Sequence, residues 1–202
     1  VTIAASHPKE APMSEITVSI RPAQTVDAIG LAHVHVETWR DAYVGMIPDD
    51  YLVGLDEMHA AVRWTRRLSH LEEPERLSVA EVDSDIVGYC HGGPWRSQSL
   101  PVPVGDRSAE IYSLYVDPSF QGLGLGRALL GHVVSGMIDD GFDQLAIMTL
   151  AENRNGRRFY DALGGMVDRT IPSVVGGTPV EQVAYVWRDL SKLVRRIETA
   201  NG

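Results

Sequence analysis

Hydrophobic and polar positions along the chain alternate between strand-like and helix-like periods, and the order of those periods outlines one mixed α/β domain. Residues 17–21 (TVSIR) alternate as a first strand. Thr25 and Asp27 then open a helical stretch with apolar positions at Ile29, Leu31, Ala32, Val36 and Trp39. Gly45 and Pro48 break it, and 49–55 and 56–68 read as shorter helical pieces. Residues 77–82 and 86–90 are β-rich and flank Asp83-Ser84-Asp85, which predicts a hairpin. A long loop is expected over 92–107, where glycines and prolines interrupt every apolar run. The stretch 109–116 reads as a strand, 124–140 as a helix closed by Gly141, and 144–150 (QLAIMTL) as a buried central strand. A helix over 153–163 and two late strands, 167–170 and 183–187, follow, with a Gly/Pro-rich loop between the strands. The resulting order is β-α-α-β-β-β-α-β-α-β-β.

The segment between the strand at 109–116 and the helix after it carries the most chemistry. The turn Gln121-Gly122-Leu123-Gly124-Leu125-Gly126 aims backbone N–H groups and the positive end of a helix dipole at one point, an arrangement suited to a phosphate or pyrophosphate. A P-loop is excluded, because Arg127 and Ala128 stand where Lys and Ser/Thr are required. A dinucleotide fingerprint also fails, since Arg127 or Leu129 occupies the place of the third glycine. A glycine-rich turn that binds nothing remains open on these residues alone.

The flanking residues narrow the choice. Tyr115-Val116-Asp117-Pro118 precedes the Gln-x-x-Gly-x-Gly turn, and Asn153-Arg154-Asn155-Gly156-Arg157-Arg158-Phe159-Tyr160, then Leu163-Gly164-Gly165, follow the next strand. The two motifs at this separation resemble those of the GNAT superfamily of N-acetyltransferases over 17–188. Gly156 stands where Ala is usual and Gly165 where an aromatic is common. The resemblance implies a mostly antiparallel central sheet with one splayed parallel pair of strands, 109–116 and 144–150, and helices on both faces. Residues 1–14 are expected to be a flexible extension, 15–192 the single domain, and 193–202 a tail.

The resemblance further implies acetyl-CoA as co-substrate. Leu114 and Val116 would offer backbone groups to the pantetheine arm and the acetyl carbonyl, with the Val116 N–H as oxyanion donor. Gln121, Gly122, Leu123, Gly124, Leu125, Gly126 and Arg127 would hold the pyrophosphate, and Asn153 and Asn155 would reach the cofactor. Tyr160 matches the family tyrosine that protonates the departing thiolate. Core packing is the alternative use for it, as for Phe159. Strand alternation places Glu110, Tyr112, Leu114 and Val116 on one face, which makes Glu110 the first candidate for the base and His91 the second. The region 39–48 would line the acceptor site, walled by Trp39, Tyr43, Tyr51 and Trp95, with Glu37, Asp49 or Asp50 attracting an ammonium.

Composition bounds the rest. The 202 residues are 44% hydrophobic and 22% charged, enough for one well-packed domain. A net charge of −9 argues against nucleic acid as partner. The single cysteine, Cys90, forms no intrachain disulfide and favours a cytoplasmic setting. His33 and His35 are two apart, which is wrong for one helix face, so no metal site is expected. No apolar run approaches the ~18 residues of a membrane span. The expected protein is therefore an N-acetyltransferase for a primary amine of a small molecule or peptide, with homodimerisation carried by the resemblance. A different acyl-CoA, or a CoA-binding sensor without turnover, is the alternative.

Overall fold

The predicted hairpin forms through the two-residue turn Asp83-Ser84, both with positive φ (49° and 76°), which matches the right-handed twist of the strands it joins. It links β2 (Arg76–Val82) to β3 (Asp85–Pro94) in a computed structural model that describes residues 18–96 and 107–199. The remaining strands are β1 (Val18–Pro22), β4 (Ser108–Val116), β5 (Gln144–Leu150), β6 (Met166–Val175) and β7 (Thr178–Trp187). They form one sheet in the order β1-β2-β3-β4-β5-β7-β6, antiparallel except for the parallel pair β4–β5. The expected fold class is the observed one. The extension expected over 1–14 lies outside the described residues.

Helices cover both faces. On one, α1 (Ala28–Ala42) and α3 (Glu57–Ser69) pack Leu31, Val34 and Trp64 on Leu77, Val79 and Tyr89. Ile29, expected on the buried stripe, is 74% exposed; Leu31, Ala32, Val34 and Val36 carry the packing. The short α2 (Asp49–Val53) lies between them, and Asp56 caps α3 by accepting from the His59 N–H at 2.7 Å. On the other face, α4 (Leu125–Asp139), α5 (Arg154–Ala162) and α6 (Leu190–Thr199) close the larger core. No helix among the described residues is long and apolar enough to cross a membrane.

Three segments differ from their sequence reading. β3 runs on through Gly92, Gly93 and Pro94, read as loop, because a Cβ at Gly92 would lie 2.7 Å from the Glu110 carbonyl and one at Gly93 2.9 Å from the Tyr112 hydroxyl. These glycines permit close strand approach rather than ending the strand. β6 and β7 are far longer than expected and meet in a tight turn at Gly176-Gly177, both with positive φ. Pro172 is accommodated because β6 is the sheet edge.

Residues 193–199, read as tail, belong to α6, whose Leu190, Leu193 and Ile197 are all buried. Leu193 is 1% exposed. Leu193→Ala should therefore cost about 3 kcal/mol in urea unfolding, as a buried leucine does and a surface tail residue does not. A change below about 0.5 kcal/mol would return this segment to a dispensable tail.

Candidate active site

The parallel strands separate within the sheet. Pairing of β4 with β5 runs from Ser108↔Gln144 to Ile111↔Ile147 and then stops, while β4 stays paired with β3 to Val116 and β5 with β7 to Leu150. Register with β3 shifts by one residue between Ser113↔His91 and Ile111↔Gly92, so Tyr112 is the extra residue of a β-bulge where the strands part. Beyond the bulge the Asp117 N–H bonds the Val87 carbonyl at 2.9 Å. Alternation then turns the backbone of Ser113 and Tyr115 toward β3, and that of Leu114 and Val116 into the gap. In keeping with this, the Val116 carbonyl accepts from Thr38 Oγ1 (3.4 Å) and Gln121 Nε2 (3.0 Å), not from β3. The amides expected to meet an acyl-pantetheine arm thus face a wedge that no strand among the described residues fills.

The wedge opens on a cavity of about 800 Å³. One wall is the glycine-rich turn. Gly122 (φ 78°) and Gly124 (φ 84°) are left-handed, and a Cβ at either would meet nothing within 4 Å, so backbone conformation, not space, demands glycine there. Gly124 is the N-cap of α4 and no side chain caps the helix, so its first-turn amides lack intrahelical acceptors and point outward. Gln121, Gly122, Gly124, Leu125, Gly126 and Arg127 line the cavity. Leu123 does not; its side chain is 70% exposed. The Leu125 side chain is core, 7% exposed. Gln121 acts internally, tying the turn to the end of β4 through its bond to Val116. These features fit a pyrophosphate.

α5 supplies the opposite side. Asn153 lines the cavity and caps α5, its Oδ1 accepting from the Gly156 N–H at 2.9 Å. A Cβ at residue 156 would lie 2.8 Å from Asn153 Nδ2, which accounts for glycine there. Gly165 is explained likewise: a Cβ would lie 2.6 Å from Trp187, which fills the space. Asn155 lines the cavity with an exposed side chain. Tyr160 is buried, lines the cavity, and its hydroxyl takes no hydrogen-bond partner among the described residues. Burial pushes its phenol well above the ordinary tyrosine value.

A second, adjoining cavity of about 360 Å³ lies on the other face of the sheet's opening. Trp39, Tyr43, Tyr112 and Tyr115 wall it, and Glu110 lines it. Tyr43 borders both cavities, its hydroxyl 3.4 Å from that of Tyr115. Glu110 accepts from the Arg96 N–H at 3.2 Å, and burial raises its carboxyl above the ordinary value, opposed by that bond and the Arg96 charge. The bulge corrects the expected single face. Leu114 and Val116 pack with Ile111 in the α4 core, whereas Glu110, Tyr112 and Tyr115 face the smaller cavity.

Several expected site residues stand apart: like Leu123, the residues Asp49, Asp50 and Tyr51 line neither cavity. Glu37 is paired with Arg40 at 3.3 Å on the outside of α1 and lines neither cavity. Trp95 packs beside Ala146, Ala184, Val186 and Met148 and is not in either lining. His91 lies behind the Tyr112 ring, centroids 4.9 Å apart, also outside both linings, and burial with Arg67 and Arg96 nearby pushes it down to about 3. Missed by sequence reading were Thr38, Tyr112, Tyr115 and Arg196, all lining residues. Tyr115 carried a usable signal, inside the motif-flanking Tyr-Val-Asp-Pro, and Arg196 an indirect one, the apolar spacing of the helix that bears it. No group of three His, Cys, Asp or Glu that could hold a metal occurs among the described residues.

This fold is found in known proteins. The model of the acetyltransferase (GNAT) family matches residues 36–165. The chain is 28% identical over 177 residues to the uncharacterised N-acetyltransferase YuaI of Bacillus subtilis, covering 87% of this chain and 96% of that one. It is 27% identical over 157 residues to the L-amino acid N-acyltransferase MnaT of Escherichia coli, covering 78% and 84%. The PaiA N-acetyltransferase of Thermoplasma acidophilum, solved in complex with coenzyme A, shares the fold with a TM-score of 0.65 at 19% identity, over 85% of this chain and 99% of that one. The match to more than half of its length shows that the chain belongs to the acetyltransferase (GNAT) family.

Proposed function

We propose that the protein transfers the acetyl group of acetyl-CoA to a primary amine of a small molecule or peptide, by direct attack in a ternary complex. One observation carries this reading: the wedge with free Leu114 and Val116 amides joins an anion-binding turn on one side to a carboxylate-bearing aromatic cavity on the other.

When bound, acetyl-CoA supplies the thioester carbon that the amine attacks. The turn 121–127 holds the pyrophosphate through backbone amides and Arg127, whose charge at a helix N-terminus is offset only by an anion. The Val116 N–H donates to the carbonyl oxygen as it gains charge, a contribution of roughly 3 kcal/mol. Glu110 takes the proton of the attacking amine, directly or through water, and Tyr160 gives its own to the sulfur as the C–S bond breaks. Burial raises the Tyr160 phenol and so keeps its proton in place until the thiolate forms. The geometry at the bound sulfur, rather than the free phenol and thiol values, must carry the transfer. Cys90 lines neither cavity, which supports direct attack over an acyl-cysteine.

The test is thiol release with acetyl-CoA across an amine panel holding L-amino acids, their decarboxylated counterparts, a polyamine and a peptide N-terminus. The Escherichia coli relative's name places L-amino acids first in it. Turnover of at least one amine is expected, whereas cofactor binding without turnover of any would favour a sensor. At saturating amine, kcat should rise with pH through the Glu110 ionisation, because the base works deprotonated. Its raised carboxyl puts that limb above the ordinary carboxylate range. Glu110→Gln should lower kcat about 100-fold and abolish the limb; an unchanged limb places the base elsewhere.

A further inference from the structure

The last helix brings a cation to the cofactor side of the larger cavity. α6 crosses α4 at Gly131, where a Cβ would lie 3.2 Å from Ile197 Cγ2. Gly131 is one turn along from Arg127, on the same face of α4. Arg196, next to Ile197, is carried by the same helix and lines the cavity together with the turn. Its guanidinium lies across Gly164, the left-handed residue that ends α5 (φ 75°), and a Cβ at that position would overlap Arg196 Nη1. The guanidinium is exposed and has no ion pair among the described residues, although its helix neighbour Lys192 is paired with Asp189 at 3.6 Å. An unpaired fork of N–H donors held at a cavity rim, in a chain of net charge −9, is a site for a phosphate monoester.

We propose that Arg196 binds the 3′-phosphate of coenzyme A, so that α6 belongs to the cofactor site. The inference rests on the acetyl-CoA reading above. In that ligand the pyrophosphate is assigned to the turn 121–127. The phosphate still to be placed is on the ribose, beyond the pyrophosphate from the thioester, and Arg196 lines the same cavity as the turn. Arg154, exposed at the start of α5 and also lining the cavity, is the competing cation.

Calorimetric titration of the full chain with CoA and with 3′-dephospho-CoA separates these contributions. The wild type should bind CoA about fivefold more tightly than the dephospho ligand, the effect expected of one exposed charge-assisted pair. Arg196→Gln should bring the ratio to about one by weakening CoA alone, and Arg196→Lys should keep part of it. Arg127→Gln should weaken both ligands equally. A ratio near one in the wild type, a ratio unchanged in Arg196→Gln, or its collapse in Arg154→Gln instead would each overturn the assignment while leaving the acetyltransferase reading standing. Failure of both ligands to bind the wild type would overturn both.

Discussion

Tyr160→Phe is expected to lower kcat about 100-fold while leaving the Kd for acetyl-CoA within about threefold. The substitution isolates one atom. The Tyr160 ring packs against Phe159, Tyr185 and Trp187, with centroids 5.4, 5.4 and 6.1 Å away, and phenylalanine keeps those contacts. The hydroxyl has no protein partner among the described residues, so its removal breaks no bond in the free protein and the melting temperature should hold within about 2 °C. Any loss must then come from a bond made only with substrate. Because the phenol is raised by burial, it is fully protonated at neutral pH and its proton is available in every turnover. Steady-state kinetics paired with calorimetry reads the two quantities. A kcat within about threefold of wild type would make Tyr160 a packing residue, with another donor for the leaving sulfur.

What the sequence makes legible, and what it does not, follows from the range of each signal. The turn at 121–126 is readable because left-handed backbone at Gly122 and Gly124 demands a residue type. Tyr160 and Asn153 are readable by their spacing on one short helix. The faces of β4 are not. Alternation from Glu110 would carry through Val116, but the bulge at Tyr112 depends on pairing with β3, a partner some twenty residues away. Gly92 and Gly93 look like breakers because their reason, close approach of Glu110 and Tyr112, is a tertiary contact. Glu37 fails by helical phase: Thr38 and Trp39 turn inward, and their neighbour turns out to Arg40. The apolar spacing Leu190, Leu193, Val194, Ile197 is plain in the sequence. A domain ended at 192 cuts across it, and Arg196 is lost with the helix that carries it.

The turn itself gives the other large effect. Gly124→Asp should weaken acetyl-CoA and CoA at least about 100-fold, ~2.7 kcal/mol, while lowering Tm by only about 2–4 °C. Two costs of different origin combine. Any Cβ at φ 84° is strained, because left-handed backbone brings it too close to the following carbonyl oxygen, at about 1–2 kcal/mol per residue. Aspartate tolerates that region better than most residues, so the cost to the apoprotein stays at the lower end of that range, and no steric clash adds to it, since a Cβ there would meet no atom within 4 Å. The larger cost is charge. A carboxylate at the mouth of the α4 amides competes for the donors meant for pyrophosphate and repels it, by about 4 kcal/mol at ~4 Å in a partly screened site. Gly124→Ala keeps the strain without the charge; a turn that shifts to relieve it displaces the amides, and the affinity loss should be only about tenfold. Gly126→Ala, in a helix with ordinary φ and a Cβ 3.6 Å from Phe159, should leave the free protein's stability intact. The two Gly124 variants, titrated side by side, thus separate backbone shape from electrostatics. Equal affinity of Gly124→Asp and wild type would remove the pyrophosphate from this turn and, with it, the orientation assigned to the whole cofactor.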